Sequence, residues 1–271
     1  MELSPTRRHF FRTLHQSPLN LVTAALYIAQ EEYPNLVIED YVDQLESMGQ
    51  SVKKRLPTER YPLRIIGAIN DYLYGELGFS GNTADYYNPD NSFLNRVLEQ
   101  RTGIPITLAL VYLDVARRVD FPMVGVGFPG HFLIRPDLPD VEIHIDVFNN
   151  GEILFAQDCQ ARLEEIFQQA VPLRPEFFQV VTPQQFLIRL LSNLKRIYLE
   201  RRDLERSLGA VERILLVSPQ SVDELRDRGI LSYHLGRWRE AKADLLDYLA
   251  TRPSLEQQAM VQDILRQIID D

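Results

Sequence analysis

Residues 141–155 read Val-Glu-Ile-His-Ile-Asp-Val-Phe-Asn-Asn-Gly-Glu-Ile-Leu-Phe. Val141, Ile143, Ile145 and Val147 alternate with Glu142, His144 and Asp146, the period-two pattern of a half-buried strand. Asn149-Asn150-Gly151 then reads as a hairpin turn, because asparagine and glycine tolerate positive φ. Ile153-Leu154-Phe155 is the returning strand. Toward the N-terminus, Met123–Val126 and His131–Arg135 read as two further strands around a Phe128-Pro129-Gly130 turn. The segment before them, Pro105 to Val119, is a strongly apolar helix with proline at its start. Helix followed by antiparallel strands argues an α+β domain.

The first third reads as helical. Ser17-Pro18 predicts a helix start, carried by Leu21, Val22, Ala25, Leu26, Ile28 and Ala29 and ended at Pro34. Ile38, Tyr41, Val42, Leu45 and Met48 form a second stripe. Pro62 opens a third through Ile65, Ile66, Ile69, Leu73 and Leu77. A polar loop, Asn82–Asn91, carries Tyr86 and Tyr87. Ser92 reads as the N-cap of a short helix, Phe93–Leu98, and Arg101-Thr102-Gly103 as a turn.

From Pro183 onward the chain is helical and repetitive. Pro219 and Pro253 lie 34 residues apart, and Ser207/Ala241, Leu191/Leu225, Val211/Leu245 and Ile214/Tyr248 share that offset. Gly229, Tyr198 and Tyr233 fall at or beside positions that want small or aromatic residues. A 34-residue period with a closing proline is the tetratricopeptide signature, and Leu255–Ile269 reads as a capping helix. The expected organisation is a first domain over 1–180, with a helical prelude at 1–81 and a core at 82–180. A repeat domain over 183–271 follows.

Of the 271 residues, 45% are hydrophobic and 25% charged, and the net charge is −9. The repeat region holds equal numbers of acidic and basic side chains, so the whole excess of negative charge lies before it. An acidic chain without a basic stripe argues against nucleic acid as the main partner. No run of eighteen apolar residues exists for a membrane span, and Met1–Pro18 does not read as a secretory signal. The single cysteine, Cys159, excludes an intrachain disulfide framework and a cysteine zinc cage, and suits a cytoplasmic setting.

Between Asn91 and Gly151 four stretches belong together. They are Asn91-Ser-Phe-Leu-Asn95, Arg101-Thr-Gly-Ile-Pro-Ile-Thr-Leu-Ala109, Gly125-Val-Gly-Phe-Pro-Gly-His-Phe-Leu-Ile-Arg135 and His144-Ile-Asp-Val-Phe-Asn-Asn-Gly151. They resemble the SirB family of bacterial proteins, which join a transglutaminase-like core to tetratricopeptide repeats. A related segment occurs in one eukaryotic F-box protein. The resemblance implies a papain-like core whose active relatives use a Cys-His-Asp triad, with the cysteine opening a buried helix. There a helix N-terminus and a nearby imidazolium favour the thiolate, and the aspartate fixes the imidazole. Aligned on Gly103 and Pro122, the resemblance places the nucleophile at Pro105, the histidine at His131 and the aspartate at Asp146. Two of three positions are filled, and proline has no nucleophilic atom.

Other residues admit both a functional and a purely structural role. His131, His144 and Asp146 could form a two-histidine, one-carboxylate metal set, against a polar face lining a groove. No metal and no cofactor is expected. Cys159, near the start of a helix over Gln157–Gln169, could be activated there, but a lone cysteine is more often an inert small hydrophobe. Asn91, Asn95, Arg101, Thr107 and Arg135 are candidate binding residues. Asn95 could aim an amide at an oxyanion, and the arginines could hold a carboxylate. Tyr86, Tyr87 and Phe128 could rim the cleft. The expected function is a catalytically silent adaptor that binds a protein or peptide through cleft and repeats. The alternative is a hydrolase or acyltransferase in which the His131/Asp146 cleft activates water.

Overall fold

A computed structural model describes residues 4–139 and 141–270. The chain divides into two compact units, Met1–Phe186 and Leu187–Asp271. In the first unit, α1 (Pro5–Leu14) begins with Pro5 at its first position, and the Ser4 hydroxyl accepts from the Arg7 amide. α2 (Leu21–Glu32) is capped by Asn20, whose side chain accepts from the Thr23 amide, not by Ser17-Pro18 as expected. The asparagine wins because its carboxamide reaches the amide three residues on. α3 (Ile38–Lys53) and α4 (Pro62–Asn70) follow, and α4 runs into one π-helical turn, Asp71–Glu76.

β1 (Ser80–Gly81) pairs in parallel with β2 (Thr102–Gly103) around α5 (Leu94–Gln100). Phe93, not Ser92, is the N-terminal boundary of α5; Ser92 closes a 3₁₀ turn, Pro89–Ser92, instead. α6 (Pro105–Arg118) is the core helix. Every residue from Pro105 to Tyr112 is buried, so its pattern is apolar on all sides and not amphipathic. A fully buried leucine or valine here is worth roughly 1.5–3 kcal/mol over an exposed one.

A four-stranded antiparallel sheet lies against α6 in the order β3 (Met123–Val126), β4 (Leu133–Pro136), β5 (His144–Asp146) and β6 (Glu152–Leu154). Two strands are shorter than the period-two pattern suggested. His131 precedes β4 in a turn, and β5 stops at Asp146 because Val147–Asn149 winds into a 3₁₀ turn. The polar side of β5 is not solvated either: Asp146 is fully buried. α7 (Ala156–Phe167) packs beside β6, and its Cys159 and Leu163 join an apolar cluster with Val126, Phe128, Leu133 and Leu154.

The repeat helices are α8 (Pro183–Glu200), α9 (Leu204–Val217), α10 (Val222–His234), α11 (Trp238–Ala250) and the capping helix α12 (Leu255–Asp270). The 34-residue offset appears as matched packing: Ser207 and Ala241, Val211 and Leu245, and Ile214 and Tyr248 are all buried on α9 and α11. Gly229 on α10 needs its missing side chain, since a Cβ there would lie 2.8 Å from Leu245.

Candidate functional site

Asp146 sits at the end of β5, where the chain turns into a 3₁₀ helix that its own carboxylate caps. Oδ1 accepts from the Phe148 amide (3.1 Å) and the Asn149 amide (3.2 Å). The same oxygen accepts from His131 Nε2 at 2.9 Å, and Oδ2 accepts from Asn149 Nδ2 at 2.9 Å. Arg162 of α7 approaches Oδ2 at 3.5 Å and is itself tied to Glu152 (2.7 Å) and Glu165 (3.0 Å). Burial alone would raise the Asp146 carboxyl, but the His131 bond, Asn149 and Arg162 together hold it below its ordinary value. It is therefore an ionised orienter for His131, whose side chain is only 10% exposed.

An aromatic chain leads from this pair to solvent. Phe148 stands edge-on to His131 at 6.1 Å, Tyr86 to Phe148 at 5.8 Å and Tyr87 to Tyr86 at 5.3 Å. Phe148 also packs against Gly81, where a Cβ would meet its ring at 2.6 Å. The loop carrying the tyrosines is held by Asn91, whose Nδ2 donates to the Asp85 carbonyl (2.7 Å) and the Tyr86 carbonyl (3.1 Å) and whose Oδ1 accepts from Asn82 (3.0 Å). The Thr107 hydroxyl donates to the Asn91 carbonyl at 2.7 Å and accepts from the Ile104 amide at 3.2 Å, which ties this loop to the start of α6. The helical prelude supports the site from behind. Asn70 donates to the Gly151 carbonyl (2.8 Å) and accepts from Tyr112 (3.0 Å), and Tyr74 donates to the Val147 carbonyl (3.1 Å).

Sequence reading brought His131 and Asp146 forward, and the structure joins them. It places the binding candidates elsewhere or spends them. Asn91 and Thr107 are consumed in loop bonds. Asn95 is buried on α5, and its Oδ1 has no hydrogen-bond partner. Arg101, in left-handed conformation, closes the Leu77 carbonyl at 2.7 Å. Arg135 donates to the Pro136 carbonyl at 3.0 Å. Phe128 lies in the apolar cluster, not on a rim. Asn149 and Arg162 were missed. Asn149 stood in the quoted motif but read only as a turn residue, and nothing local marks Arg162 as an Asp146 partner.

Pro105 occupies the first position of α6, after Ile104 as cap residue. Cys159, the one thiol, is fully buried; burial first, then Asp158 and Asp146, push it up to about 11. A thiol so placed carries no useful thiolate at neutral pH. Among the described residues no three histidine, cysteine, aspartate or glutamate side chains gather to hold a metal ion. His144 does not join His131 and Asp146, since its ring packs on Phe178 at 4.6 Å with neither nitrogen bonded.

Residues 39–192 match the transglutaminase-like superfamily, and residues 194–268 match the tetratricopeptide repeat. The chain belongs to the transglutaminase-like SirB1/UPF0162 family. A UPF0162 protein of Xylella fastidiosa strain 9a5c is 36% identical over 259 residues, which cover 92% of this chain and 90% of that one. Protein SirB1 of Salmonella typhimurium is 27% identical over 222 residues, or 82% of this chain and 81% of its own. Human F-box only protein 21 is 33% identical over 190 residues, 65% of this chain but only 29% of that protein. Membership explains the layout of a transglutaminase-like unit followed by repeats. No helix among the described residues is long and apolar enough to cross a membrane.

Proposed function

We propose that the protein is a catalytically silent member of its superfamily, an adaptor whose cleft and repeats each hold a protein or peptide in the cytoplasm. One observation carries this reading: where active relatives open the core helix with a cysteine, this chain opens it with Pro105. The retained pair supports a binding role. A buried, ionised Asp146 fixes the His131 ring, and a fixed imidazole beside Phe148 and Tyr86 can hydrogen-bond a polypeptide backbone. Tetratricopeptide repeats generally recognise protein segments on their helical surface, which makes residues 183–271 the second docking element.

The test is turnover by the full chain on a glutaminyl peptide with a primary amine, and on amide and peptide substrates. No product is expected, and His131→Ala should change nothing. Product formation that disappears in His131→Ala would overturn the silent reading. It would favour the second one, in which His131, oriented by Asp146, acts as general base on water. A companion measurement uses Pro105→Cys. Its new thiol should react with iodoacetamide at least tenfold faster than Cys159 does, because the first turn of a helix favours a thiolate.

A further inference from the structure

The segment between α7 and α8 is a strap laid on the sheet. It contains a 3₁₀ turn, Pro175–Phe178, and an isolated antiparallel β-bridge from Val180 to Val126. Val171, Leu173, Phe177 and Phe178 are partly buried against the cluster of Val126, Phe128, Leu133, Leu154, Cys159 and Leu163. Polar ties are few. Gln160 clamps it by donating to the Val171 carbonyl (2.8 Å) and accepting from the Leu173 amide (2.9 Å). At the far end the Gly127 amide donates to the Gln179 carbonyl (3.3 Å) and the Val181 amide to the Gly125 carbonyl (2.9 Å).

Under the strap lies His144. Phe178 covers its ring at 4.6 Å, and both ring nitrogens are buried without a hydrogen-bond partner. Arg135 stands across the ladder, since Ile134 pairs with Ile145. Among the described residues no carboxylate is hydrogen-bonded to His144. β6 places Leu154 opposite. Glu142, just before β5, is exposed, and Asp146 is taken by His131, Asn149 and Arg162. Arg162 of α7 is taken by Asp146, Glu152 and Glu165, and Arg174 and Glu176 of the strap face solvent.

We infer that His144 makes the strap acid-releasable: a proton on the ring creates a buried cation facing Arg135, and lifting Phe178 with residues 171–181 lets water reach it. The direction of the titration agrees. Burial first, and Arg135 second, hold the His144 pKa down at about 4, against an ordinary 6.5. The neutral ring favours the closed strap above the ordinary value, and that preference is lost as pH falls from 6.5 toward 4. The open fraction should grow about 20-fold between pH 7 and pH 5.

Amide hydrogen exchange on the full chain tests this, with protection corrected for intrinsic rates. The amides of Gly127, Leu173 and Val181 should lose about 20-fold protection between pH 7 and pH 5 while those of β5 and α6 hold theirs. His144→Phe should remove the dependence. Arg135→Gln, which keeps the histidine, should raise the closed-strap pKa, so that the loss of protection levels off at a higher pH and is smaller in total, and a misfolded first variant leaves the second to decide. Unchanged protection in the wild type, equal loss in His144→Phe, or loss spread over the whole unit would overturn the inference.

Discussion

The interior around Asp146 and the interior of the repeats are built on different principles. Between α9, α10 and α11 most buried positions are apolar or small, and the buried charges are met by neighbours, Asp244 by Arg228 and Arg213 by the Gly209 carbonyl. Around Asp146 the buried groups are polar, and their partners come from 15 and 16 residues away at His131 and Arg162. Asn70 reaches 81 residues to Gly151. At its apolar positions the repeat interior tolerates change in proportion to lost volume. The other is all or nothing, because removing one partner strands several charges and donors.

The sharpest way to break that contrast is Asp146→Ala. It leaves His131 and two backbone amides without their acceptor and takes one of three carboxylates from Arg162, and a loss of about 4 kcal/mol is expected in denaturant unfolding of the first unit. The carboxylate is held below its ordinary pKa, so its contribution is present above about pH 4 and disappears as pH falls through the lowered value. The gap between wild type and variant should therefore narrow in acid. Next comes Gly229→Val, whose side chain collides with Leu245; roughly 2 kcal/mol should go from the repeats, with the first unit unaffected. A variant that instead weakened both units would sink the contrast. Smallest is Thr107→Val, which keeps the volume and deletes the link to the Asn91 carbonyl. About 1–2 kcal/mol is expected, read as faster exchange in residues 82–91.

The same contrast explains what was legible beforehand. The repeat helices could be read because helical periodicity is local, and α6 because a proline opens a long apolar run. Ser207/Ala241 and Val211/Leu245, matched by their offset alone, are all buried. His131 and Asp146 were legible through a motif whose spacing reports a spatial pairing. Arg162 was not, since an arginine in Arg-Leu-Glu-Glu reads as a solvated helix face until β6 and α7 bring it to Asp146. Asn95 gave no signal either, since its burial on α5 depends on packing that no local pattern reports. The ends of β5 were misjudged for a related reason: Asp146 prefers to cap the next turn over continuing the strand.

Asn70 and Tyr74 give the prelude a bearing on how the chain can be cut. A fragment trimmed to residues 82–180, although it would retain the whole quoted motif, would surrender the acceptor for Tyr112, the donors to the Gly151 and Val147 carbonyls, and the strand beside Thr102–Gly103. The smallest autonomous piece that keeps His131 and Asp146 in register must therefore start upstream of α4.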